Sequence, residues 1–99
     1  MGATTFVSKR HAPTAQEAFD GLVAAALAAL GDEGYTGSIA EKSSFRTIEC
    51  PRHLNVRSAI NCMLDDDGHW VSDKWGPAGH IEVDDGGEKM HIFFGWASE

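Results

Sequence analysis

Gly79-His80-Ile81-Glu82-Val83 and Lys89-Met90-His91-Ile92-Phe93-Phe94 flank Asp84-Asp85-Gly86-Gly87-Glu88. Two alternating runs around a glycine-centred, turn-forming linker are the pattern of a β-hairpin. Successive side chains on a strand point to opposite sides, so Ile92 and Phe94 face away from His91 and Phe93. One of the two phenylalanines must therefore point away from the main core. This hairpin anchors the reading of the rest of the chain as an antiparallel sheet with helices laid against it.

Working outward, Thr4 to Lys9 carries β-branched and aromatic residues and reads as a first strand. Pro13-Thr14-Ala15-Gln16-Glu17 offers a Thr N-cap with Glu three residues on, a capping box. Behind it Ala18, Phe19, Leu22, Val23, Ala26, Leu27 and Leu30 recur at helical spacing, and Gly31 supplies the stop. An alanine-rich back favours helix and allows close contact with a second surface. Phe45-Arg46-Thr47-Ile48-Glu49-Cys50 alternates in period two as another strand, ended by Pro51. Leu54, Val56, Ala59, Ile60, Met63 and Leu64 suit a second amphipathic helix, and the acids at 65–67 oppose its dipole, so its last turn should fray. The expectation is one α+β domain over residues 1–99, with two helices packed on one face of a small, mostly antiparallel sheet.

Ninety-nine residues suffice for a modest core, and 42% hydrophobic with 23% charged residues is an ordinary globular balance. Two cysteines, Cys50 and Cys62, are too few for a disulfide framework. No secretory leader pattern opens the chain, and the longest apolar stretch, residues 22–30, is far below the roughly 20 residues of a membrane span. These features predict a cytoplasmic protein with reduced thiols. The net charge of −7 resides in residues 65–99, where nine acids face only Lys74 and Lys89. Such a surface repels phosphate backbones, which argues against nucleic-acid binding and for a solvated acidic face or a basic protein partner.

Cys50, His53, Cys62 and His69 lie within one 20-residue window, but their spacing does not pair as zinc ligands do. The acids at 65–67 lack the ligand ladder and bidentate Glu of a calcium loop. Gly34-Tyr35-Thr36-Gly37-Ser38 resembles a phosphate cradle only superficially, since it follows a helix and has neither the Lys-Ser/Thr nor the third glycine that such loops use. There is no nucleophile elbow, so the residues make no positive case for an enzyme. No metal and no cofactor are expected. Trp70, Trp75, Phe93, Phe94 and Trp96 all fall beside the acids in the last third. They read either as the second half of the core or, where one is exposed, as an anchor for a protein partner.

Three blocks combine glycine, large aromatics and a charge or hydroxyl: Gly34-Tyr35-Thr36-Gly37-Ser38-Ile39-Ala40-Glu41-Lys42, Asp73-Lys74-Trp75-Gly76-Pro77-Ala78-Gly79, and Phe93-Phe94-Gly95-Trp96-Ala97-Ser98. Together they resemble a pattern of small actinobacterial and actinobacteriophage proteins. The resemblance covers about a quarter of the chain. It carries no catalytic residue with it. It implies a phage or mobile-element accessory protein that acts by binding a host protein.

The resulting expectation is protein–protein interaction through the acidic, Trp-rich C-terminal third. The alternatives are a small-ligand or nucleotide-binding domain built on residues 34–42, with or without catalysis, and an acidic DNA mimic. Each block lies at the end of a predicted element. Tyr35, Thr36, Glu41, Lys42, Asp73, Lys74, Trp75 and Trp96 are therefore the candidate binding residues, with Tyr35, Trp75 and Trp96 expected near one another.

Overall fold

A computed structural model describes residues 3–30, 39, 42, 44–49, 55–66, 68–73 and 76–98. Its elements in chain order are β1 (Ala3–His11), α1 (Ala15–Leu30), β2 (Phe45–Thr47), α2 (Val56–Leu64), β3 (Ala78–Asp85) and β4 (Glu88–Ser98). A single 3-10 turn, Trp70–Ser72, follows α2. The four strands form one sheet in the order β1-β4-β3-β2. β4 pairs antiparallel with both β1 and β3, whereas β2 joins β3 in parallel. A parallel pair needs a crossover, and the chain between β2 and β3 contains α2.

The hairpin forms as its residues dictate. Asp85 opposes Glu88, leaving a two-residue loop of Gly86 and Gly87 at φ 63° and 91°. Positive φ at both positions is the mirror-image turn whose twist matches the flanking strands, and glycine enters it without strain. In α1 the Thr14 cap is made: the Glu17 N–H donates to Thr14 Oγ1 at 3.2 Å. In α2 the cap is Asn55, whose side-chain oxygen accepts from the Ser58 N–H at 2.7 Å. β2 is shorter than the alternation of residues 45–50 implied, although the Ile48 N–H still donates to the His80 carbonyl at 2.8 Å. Gly31, Cys50 and Pro51 lie outside the described residues.

The class is α+β, with two helices and a four-stranded, mostly antiparallel sheet. The placement of the helices differs from the expectation that both share one face. Phe6, Phe93, Ala78 and Ala97 pack with Ala18 and Phe19 of α1. Ile81, Ile92 and Phe94 pack with Ile60 and Leu64 of α2 and with Val71. Adjacent residues Phe93 and Phe94 are both fully buried yet belong to opposite sides of β4, so each side needs a cover, and one helix supplies each. An amphipathic stripe tells which side of a helix meets the sheet, not which side of the sheet it meets. Among the described residues, no helix is long and apolar enough to cross a membrane.

Candidate functional site

The three glycine-aromatic blocks meet at Lys42. Its side chain is 4% exposed, and Nζ donates to the Gly76 carbonyl at 2.9 Å and towards the Asp73 carbonyl at 3.4 Å. A Cβ on Gly95 would stand 3.6 Å from Lys42 Cε and 3.3 Å from Phe6. One residue of the first block is thus clamped between the backbone of the second and a glycine of the third. The rest of the signature is packing. A Cβ on Gly79 would lie 2.6 Å from the Phe94 ring, and Ala78 and Ala97 are fully buried.

Trp96 does not share that place. It is half-buried on the α2 side, where Nε1–H donates to the Leu64 carbonyl at 2.9 Å, filling one of the acceptors a helix end leaves open. Trp70 packs into the same cluster, with the Arg46 guanidinium 5.0 Å above its ring. Tyr35, Thr36, Glu41, Lys74 and Trp75 lie outside the described residues, and so does the expected meeting of Tyr35 and Trp75 with Trp96. Lys42 and the Asp73 carbonyl are brought together, while Trp96 belongs to the cluster on the α2 side of the sheet.

Around this interior the acids remain outside. Asp65, Asp66, Asp73, Glu82, Asp84 and Glu88 are all exposed. Two groups stand apart, Asp84 and Glu88 at the hairpin end and Asp65 and Asp66 at the end of α2, with Glu82 in mid-strand opposite His91. Glu88 sits at the hairpin turn, and the C-terminus of α2 is tied to Trp96, eight residues further along β4. At about 3.3 Å per residue the two groups are about 26 Å apart.

Of the residues in the 20-residue Cys/His window, Cys62 is an exposed free thiol, and His69 Nδ1 accepts from the Val71 N–H at 3.1 Å to cap the 3-10 turn. Cys50 and His53 lie outside the described residues. Among the described residues no group of three or more side chains is arranged to hold a metal ion.

A second constellation has no counterpart in the reading of the sequence. His80 and His91 are 2% and 0% exposed, and their rings stack with centroids 5.1 Å apart. His80 Nε2 lies 2.9 Å from His91 Nδ1, His80 Nδ1 lies 2.9 Å from Thr47 Oγ1, and His91 Nε2 lies 3.2 Å from the Ala12 carbonyl. Burial, reinforced by His91 and opposed by Glu82, lowers the His80 pKa from 6.5 to about 4. The order hydroxyl, imidazole, second imidazole has the geometry of an activated nucleophile. A base so weak holds almost no proton near neutrality, however, and the third group is a second imidazole rather than a carboxylate that would stabilise imidazolium. The arrangement is a hydrogen-bonded brace. Its signal in the sequence was two histidines at positions that share a strand face with Phe93 and Ala78.

No protein family, curated protein or solved structure matches the chain.

Proposed function

We propose that the chain is a small phage-type accessory protein of the cytoplasm that acts by binding a basic surface of a host protein with its acidic C-terminal third. The observation that carries this reading is the partition of that third: its phenylalanines are buried, Trp70 and Trp96 are packed into the core, and its described acids stay exposed. The acids, more than the rings, are the contact groups, so association should be steered by charge and weakened by salt. An exposed, unpaired Cys62 thiol suits a reducing compartment.

A ligand loop at residues 34–42 gains little support, because Lys42 is buried against backbone carbonyls instead of reaching towards solvent.

The test uses two double variants, D65N/D66N at the helix end and D84N/E88Q at the hairpin end. A host protein captured by the native chain is identified by mass spectrometry, purified and titrated against all three forms at low and high salt. One double variant is expected to weaken binding at least ten-fold, with the salt dependence reduced in parallel. Equal affinity for all three forms, or no captured partner, overturns the proposal.

A further inference from the structure

One chain of side-chain hydrogen bonds crosses the whole sheet: Thr47 on β2, His80 on β3, His91 on β4, and the Ala12 carbonyl just past β1. Its direction is forced. A carbonyl only accepts, so His91 Nε2 carries a hydrogen. With both rings neutral, His91 Nδ1 then accepts from His80 Nε2–H, and His80 Nδ1 accepts from the Thr47 hydroxyl. All four ring nitrogens of the pair have a partner in that one arrangement.

A single added proton leaves all three joints filled. His80 Nδ1–H donates to Thr47 Oγ1, which now accepts, and one N–H remains in the bridge between the rings. A second proton has no such place. Both facing nitrogens would carry hydrogens across 2.9 Å, between stacked rings that are both buried. The bridge between the rings can therefore close with one added proton but not with two.

Among the described residues the titratable groups around the pair come from each neighbouring strand, with His11 at the end of β1 and Asp84, next but one to Glu82 on β3, at its margin. From β3, Glu82 Oε1 lies 4.0 Å from His91 Nδ1 and favours the first proton. From β4, Lys89 Nζ lies 3.9 Å from the same carboxylate. From β1, Arg10 is the register partner of His91 and packs near Gly21 of α1. The acids of α1, Glu17 and Asp20, are exposed, as is Glu49 beyond β2, while Arg46 of β2 lies over Trp70 on the other side of the sheet.

Beyond the Ala12 end lies an open cavity of about 500 Å³ lined by His11, Ala12, Pro13, Gly87, Glu88 and Lys89. The Ala12 N–H donates to the Lys89 carbonyl at 3.2 Å and closes this corner. We infer that His80 and His91 form an acid-operated latch, which holds one extra proton with every joint closed and, on the second, opens at the bridge between the rings and releases the Ala12 corner into the adjoining cavity. The corner is the side expected to give way because it lies one residue past the last β1–β4 register pair, His11↔Met90, and borders open space, whereas His80 and His91 sit within the β3–β4 register.

Imidazole nitrogen NMR and amide exchange on the intact protein test this. At neutral pH both rings should show protonated Nε2 and bare Nδ1. On acidification the pair should take up protons in two separated steps, and protection of the Ala12 amide should fall at least ten-fold in the second step alone. His91→Gln keeps the joints, since Oε1 accepts and the amide nitrogen donates, but binds no proton; protection at Ala12 should then persist through the same range. His80→Gln should do likewise and serves if the first variant does not fold. A protonated Nδ1 on His80 at neutral pH, a single common titration step, or equal loss of Ala12 protection in the Gln variants overturns the latch.

Discussion

Replacing His80 by Gln should flatten the acid side of the stability curve. In the folded protein His80 titrates at about 4, against 6.5 when unfolded. Between those values the unfolded chain binds more protons than the folded one, so stability rises with pH. The contribution is fully present above 6.5 and is lost progressively as pH falls towards 4. At about 1.4 kcal/mol per pH unit for one proton, the loss is about 2 kcal/mol by pH 5 and roughly 3 kcal/mol at its limit. Carboxylates also titrate here, but they do so in both proteins and cancel in the difference. Gln at position 80 can accept from Thr47 and donate to His91, so the brace survives without its titrating group. Urea unfolding of both proteins across pH 4–7 supplies the comparison, and their stability difference should shift by roughly 3 kcal/mol in favour of the variant on going to acid. Parallel curves would refute the reasoning, for they would mean that His80 is protonated as readily inside the fold as outside it.

Two further outcomes concern the packing that the glycine-aromatic blocks encode. Gly79→Ala drives a methyl to within 2.6 Å of the fully buried Phe94 ring and should destabilise by about 1–3 kcal/mol, whereas Gly95→Ala meets Phe6 at 3.3 Å and should cost less; chemical denaturation orders the two, and the reverse order refutes the account. Trp96→Phe removes the donor to the Leu64 carbonyl and should lower stability by about 1 kcal/mol, with a drop in melting temperature and a loss of amide protection centred on the last turn of α2.

Local chemistry was the legible part of this chain. Capping residues at Thr14, an apolar stripe from Ala18 to Leu22, and paired glycines at 86 and 87 each act within a few residues, and each element they specify is present. What depends on partners distant in the chain was not legible. Nothing near Phe45 says that β2 will lie parallel to β3, and nothing in the stripe of α2 says which side of the sheet it will cover. The same holds at the candidate site. Lys42 reads as a surface cation until its carbonyl partners more than thirty residues away are in place. His80 and His91 read as polar interruptions of two strands until the hairpin register sets them side by side. The acids needed no such information, because exposure is the ordinary state of a carboxylate.

The position of β4 between β1 and β3 has a consequence for how the chain is made. β1 is complete about 77 residues before β4 begins, and none of its sheet partners exists until then. At about 5–20 residues per second a ribosome takes about 4–15 s over that interval. Throughout it Phe6 and the apolar side of α1 have each other but lack Phe93 and Ala97, which complete their cluster, while β3 waits only for its own turn to close. The nascent chain therefore offers its N-terminal half to chaperones, and its last strand acts as the keystone that removes the offer.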